Sequence, residues 1–149
     1  MNSPSLGLST HALEIKPRLD QIGVALDWLR GLATLDQWPQ RAAFGLILSA
    51  DEALTNIVTY SFSEPADEAA SIWLFCKHSS KEVALRIEDE GAFFDPTGAL
   101  LGSHPKSIED ALPGGHGLRL MRHYLKSIHY AREGTRNVLT LVVDIEMAT

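Results

Sequence analysis

Cysteine, positive charge and long apolar runs are all scarce in this chain, and each scarcity closes off a class of function. Cys76 is the sole cysteine, so no intrachain disulfide can form, and a reducing, cytoplasmic setting is the default expectation. Inside Ile72-Trp-Leu-Phe-Cys-Lys77 it reads as a small buried hydrophobe. Lys and Arg number 13 against 19 Asp and Glu, a formal charge of −6. Binding to nucleic acid or anionic lipid is therefore not expected, because phosphate backbones are held by clustered cations. The one local basic stripe, Arg119, Arg122 and Lys126, has helical spacing and would occupy one face of a helix. No apolar stretch reaches the ~18 residues of a membrane span, and the N-terminus lacks a charged-then-apolar leader, so neither insertion nor secretion is expected. Zinc and hydrolase signatures are missing too. The six histidines include no His-x₃-His pair, and there is no Gly-x-Ser-x-Gly elbow.

What is present is a chain of 149 residues, 45% of them hydrophobic, enough for one domain with a real core. There is no internal repeat and no linker. Leu6 to Ile15 alternates partially and reads as an edge strand. Pro17 opens a helix running to about Leu32, since a first-turn proline loses no needed donor. A second helix runs from near Pro39 to about Phe62 and ends at Ser63-Glu64-Pro65. Ala70 to His78 and Glu82 to Asp89 read as a hairpin. In its second strand Val83, Leu85 and Ile87 alternate with Ala84, Arg86 and Glu88, as a half-buried strand requires. From Gly91 to Gly117 a long segment carries Gly98, Gly102, Gly114, Gly115, Pro96, Pro105 and Pro113 with little apolar periodicity, the mark of a functional or a disordered loop. Leu118 to Lys126 reads as a helix, and Ser127 to Arg132 with Asn137 to Ile145 as a closing hairpin.

Three segments carry chemistry. Glu52 and Asn56 lie four apart on the second helix, roughly 6 Å along its axis and on one face, so both can reach one small ligand. A hydrated Mg²⁺ suits such a pair, because it takes oxygen donors and often only one or two protein side chains. Asp89-Glu90-Gly91, with Asp95-Pro96 beyond, stands where a strand leaves for the long loop. Its glycine permits close approach of a ligand, and its Asp can accept a hydrogen bond from an exocyclic amine. Pro113-Gly114-Gly115-His116-Gly117-Leu118 leads into a helix, where backbone N–H groups and the helix dipole favour phosphate oxygens. It is not a dinucleotide fingerprint, because no strand directly precedes it. Gly102 to Ser107 lacks the glycine that a Walker loop places before its lysine.

In order, these segments resemble the N, G1 and G2 boxes of the GHKL ATPase superfamily, and within it the RsbW-like anti-sigma factor serine/threonine kinases. Glu52-Ala-Leu-Thr-Asn56 is similar to the N box, Asp89-Glu-Gly91 with Asp95-Pro96 to G1, and Gly115-His-Gly117-Leu118-Arg-Leu120-Met to G2. Gly134-Thr135 and the strand after it resemble the family's terminal strand pair, and the likeness covers about residues 10 to 145. It implies an α+β fold, an α/β sandwich with helices on one face of a mixed, mostly antiparallel sheet. It also implies roles: Glu52 as catalytic base, Asn56 as Mg²⁺ ligand, Asp89 on the adenine amine, and Gly91 giving room for the base. Gly115, Gly117 and Leu118 would form the phosphate lid, and Thr135 an adenine-side contact. Where the fuller G1 pattern has a second glycine this chain has Phe93, which bears on loop geometry and nucleotide affinity.

The expectation is a Mg-ATP-dependent serine/threonine protein kinase. It would phosphorylate a STAS-type anti-sigma-factor antagonist, hold a sigma factor in its other state, and form a homodimer. The alternatives are a nucleotide-binding regulatory module with little transfer activity, and a scaffold that binds no nucleotide.

Overall fold

In a computed structural model the described residues are 9–63, 66–97 and 115–146. Among the described residues, five strands and three helices run in the order β1 (Ser9–Ile15), α1 (Leu19–Leu35), α2 (Gln40–Tyr60), β2 (Ile72–His78), β3 (Glu82–Asp89), α3 (Gly115–Tyr124), β4 (Ser127–Glu133) and β5 (Arg136–Asp144). The sheet order is β1-β2-β3-β5-β4, which leaves β1 on an edge as its partial alternation suggests. All four described pairings are antiparallel, so the expected mixed sheet is corrected to an antiparallel one.

Period-two alternation in the strands makes one buried face, with Ile72, Leu74 and Cys76, then Val83, Leu85 and Ile87, then Leu139, Leu141 and Val143. Against it pack Ile22, Ala25, Leu29 and Leu32 of α1 and Leu46, Ala50, Ala53, Leu54 and Ile57 of α2, which recur at helical spacing. Full burial of each large aliphatic side chain contributes about 1.5–3 kcal/mol, and this shared layer is what fixes the helices on the sheet. Cys76 belongs to it. Burial first, and the nearby Asp36 second, push its thiol up to about 12, so it packs as an inert hydrophobe. The opposite face is polar and self-paired. Arg136 lies over Trp73 at 4.3 Å and Arg86 over Phe75 at 4.7 Å, and both guanidiniums meet Glu88.

Three boundaries differ from the sequence reading. Helix α1 begins two residues after Pro17 and continues to Leu35. Helix α3 starts at Gly115, three residues before Leu118, because glycines leave no side chains in which a helical period could be read. It also ends at Tyr124, so Lys126 is not on it: the Lys126 N–H joins the sheet by donating to the Val142 carbonyl. The basic stripe is accordingly split. Arg122 donates to the Thr97 carbonyl at 2.9 Å, and Lys126 pairs with Glu82 at 2.9 Å. Most of the long loop, residues 98–114, lies outside the described residues.

Helices α2 and α3 meet at Gly45. A Cβ there would stand 2.6 Å from the Cβ of Tyr124, closer than real contacts allow. Arg41 and Phe44 hold the same tyrosine ring at centroid distances of 4.8 and 5.4 Å.

Candidate nucleotide site

Buried polar groups are costly unless paired, so they mark where a fold departs from simple packing. Asp89 and Asn137 are both almost fully buried, at 1% and 4% exposure. They face each other across the β3–β5 ladder, and the Asn137 Nδ2 donates to Asp89 Oδ1 at 3.0 Å. The Gly91 N–H donates to the same oxygen at 2.8 Å. The other carboxylate oxygen, Oδ2, is buried with no partner. Burial dominates and raises the Asp89 pKa, while Asn137, Gly91 and the Arg132 charge pull it down.

Gly91 follows directly, and its missing side chain has a concrete reason. An added Cβ would lie 2.4 Å from the Ser61 carbonyl at the end of α2. That carbonyl accepts the Ala92 N–H at 2.7 Å, so α2 and the loop after β3 are tied backbone to backbone. Behind this tie is a separate cavity of ≈ 430 Å³ lined by Ser61, Ser71, Glu90, Gly91 and Ala92. Glu52, Asn56 and Asp89 are not on its wall.

Glu52 and Asn56 lie on the half-buried flank of α2, beside the buried Ala53, Leu54 and Ile57. Burial, and then repulsion from Asp51, raise the Glu52 pKa. Among the described residues neither side chain has a hydrogen-bond partner of its own, so both are available to a ligand. One turn beyond Asn56 stands Tyr60. Its ring stacks on Phe94 at 5.2 Å and its hydroxyl is buried without a partner. Glu52, Asn56 and Tyr60 thus form a row of about 6 Å steps along the helix toward the loop that follows Asp89. An amide oxygen and a carboxylate are hard oxygen donors of the kind Mg²⁺ takes, and their side-by-side placement fits that ion.

Phe93 takes the position of the missing G1 glycine by turning outward. It is 48% exposed and meets Tyr130 edge to face at 5.6 Å. Gly115 and Gly117 form the first turn of α3 with Leu118 next, where helix N–H groups lack intrahelical partners. Thr135 is exposed in the tight β4–β5 turn beside Gly134, whose φ is +64°. The residue that the structure brings to Asp89 is Asn137, two positions further on. Asn137, Tyr60, Tyr130 and Arg132 went unread in the sequence. Asn137 could have been found by counting register from Asp89, but only with the β3–β5 pairing in hand.

A buried carboxylate with one unpartnered oxygen, a glycine pressed against a helix end, and a Glu–Asn row fit an α+β sandwich of the GHKL type. Residues 15–143 match the histidine kinase-like ATPase domain family, and the chain belongs to it. It is 46% identical over 132 residues to the serine/threonine-protein kinase BtrW of Bordetella bronchiseptica, covering 89% of this chain and 92% of that protein. The resemblance drawn from the three boxes is thereby borne out.

Proposed function

We propose that this protein is a Mg-ATP-dependent serine/threonine protein kinase that acts as an anti-sigma factor in a partner-switching module. The observation that carries the nucleotide reading is the buried, unpartnered Oδ2 of Asp89. An unsatisfied buried acceptor costs about 1–3 kcal/mol, and the exocyclic amine of adenine would recover that. The row on α2 supports the rest of the reading. Tyr60 lies at the base end, Asn56 is a turn away to hold Mg²⁺, and Glu52 another turn away accepts the proton of an incoming hydroxyl. Bound Mg²⁺ supplies charge neutralisation at the phosphate oxygens. Glu52 suits its role because its raised pKa brings a carboxylate toward the working pH of a general base. Gly115, Gly117 and Leu118, at the start of α3, offer main-chain donors to phosphate oxygens.

Transfer to a Ser or Thr is supported by the likeness to a protein named a serine/threonine kinase. The sigma factor, the STAS-type antagonist and the homodimer rest on the box resemblance, and the cytoplasmic setting on the single cysteine. Among the described residues no helix is long and apolar enough to cross a membrane. The decisive experiment is purification of the protein with its native partners, followed by transfer of labelled phosphate from Mg-ATP. Phosphoserine or phosphothreonine on a small co-purifying acceptor is the expected product, and no transfer to any partner would overturn the kinase reading. A melting series adds a simple check. Mg-ATP at 100 times its dissociation constant should add about 2.7 kcal/mol of stability, and no shift at millimolar nucleotide would favour the scaffold.

A further inference from the structure

We propose that Asn137 sets the base specificity of the nucleotide site by holding Asp89 as a hydrogen-bond acceptor. The inference rests on the nucleotide reading above and goes to one residue that the box motifs do not contain.

An Asn side chain has two donor hydrogens and two acceptor lone pairs, and here all four are used. Nδ2 donates to Asp89 Oδ1 and to the Ala92 carbonyl, each at 3.0 Å. Oδ1 accepts from the Tyr130 hydroxyl and from Arg132 Nη1, the latter at 3.1 Å. The amide cannot be reversed. Turned over, its oxygen would face the Asp89 carboxylate and the Ala92 carbonyl, two acceptors, while its NH₂ would face the Arg132 guanidinium. Arg132 is itself anchored, donating to the Gly91 carbonyl at 3.0 Å. The β4–β5 hairpin therefore presents donors to Asp89 Oδ1, the Gly91 carbonyl and the Ala92 carbonyl together.

The chemical consequence falls on Asp89. Two donors on Oδ1 stabilise the ionised carboxylate against its burial, and Oδ2 is left as a pure acceptor. An ionised Asp89 takes a 6-amino purine and repels a 6-oxo purine, whose oxygen is also an acceptor. A protonated Asp89 would carry a hydrogen on the unpartnered Oδ2 and reverse that preference. The charged and titratable groups near it are Arg132 and Tyr130 of β4, with Asp95 of the loop acting on Tyr130.

The test is calorimetric titration of the full chain, and of Asn137→Leu, with Mg-ATP and Mg-ITP between about pH 6 and 8. The unmodified chain should prefer ATP throughout. In Asn137→Leu the ATP:ITP ratio should fall by about tenfold relative to the unmodified chain, the equivalent of one pKa unit, and the loss should deepen as pH is lowered. Equal weakening of both nucleotides at every pH would make Asn137 a purely structural residue and overturn the proposal. Should Asn137→Leu fail to fold, Arg132→Met at an exposed position removes a donor to Asn137 and a charge that favours the carboxylate. Its ratio should move the same way by about threefold, roughly half a pKa unit, and an unchanged ratio would overturn the proposal. If the unmodified chain binds neither nucleotide, the nucleotide reading fails first. If it binds ATP and the variants keep its ratio and pH profile, the inference alone fails.

Discussion

Two carboxylates in this protein share one perturbation and differ in everything else. Burial raises the pKa of both Asp89 and Glu52. Asp89 sits at the end of β3 with one oxygen doubly bonded by donors and its surroundings locked through Asn137, Gly91 and Arg132. Glu52 stands half-buried on a helix flank, beside a like charge at Asp51. On the proposed reading, the contrast separates recognition from reaction. A base pocket reads the same atoms on every cycle, so it gains from a rigid frame whose ordering cost is met on folding. A proton acceptor must change partners during the cycle and gains from a perturbed pKa without fixed bonds.

The sharpest way to break this comparison is Glu52→Gln. Phosphoryl transfer should fall by about 10²–10⁴-fold, the usual contribution of a positioned base, while ATP titrations stay nearly unchanged. Undiminished transfer would remove Glu52 from the chemistry. Asp89→Asn should act on the other half, weakening ATP by about 10–100-fold, the equivalent of a charged hydrogen bond worth 1.5–3 kcal/mol. Its effect on stability should carry the opposite sign. A folded-state pKa raised above the unfolded value gives stability that is full below the unfolded pKa and lost as pH rises through the folded one. The variant should therefore melt no lower than the parent at neutral pH, and lose that advantage in acid. Melts at several pH values would show it.

Gly91→Ala comes next. A methyl placed 2.4 Å from the Ser61 carbonyl must push the loop off α2, at about 1–3 kcal/mol for an overpacked site, with weaker ATP binding. Denaturant titration measures the first and calorimetry the second. The pH profile of transfer should show an acid limb with a midpoint above the ordinary 4.5 of a glutamate, because the proton leaves Glu52 late. A limb at or below that value would contradict the burial argument. Smallest is Gly23→Ala on α1, where an added Cβ meets nothing within 4 Å. It should stabilise by about 0.5–1 kcal/mol and leave nucleotide affinity alone.

Local patterns carried most of the fold. Helix α2 was legible because Phe44, Ile47, Leu48, Leu54, Ile57 and Val58 recur near helical spacing, and β3 because its alternation is strict. Glu52 and Asn56 could be read because both lie within one turn of one element. Asp89 could be read because a strand visibly ends there. Asn137 could not. It meets Asp89 across 48 residues of sequence, and no local signal says that β3 pairs with β5 and not with its chain neighbour β4. Lys126 was misplaced for a related reason. Leu118, Met121 and Leu125 keep a helical period past the true end, and only a sheet bond to Val142 stops it.

The contact between Gly45 and Tyr124 turns α3 into a lever with its fulcrum at one end. Tyr124 is the helix's last residue, and the glycines of its first turn stand about 10–14 Å away along the axis. With no slack at position 45, a rigid-body swing of α3 pivots on that tyrosine and is magnified toward Gly115. Second-site revertants of damage near Gly115 should accordingly map to Arg41, Phe44 or Tyr124, remote from the ligand. A randomised library at position 45 should return glycine, while position 31, where a Cβ would be free, should accept many residues.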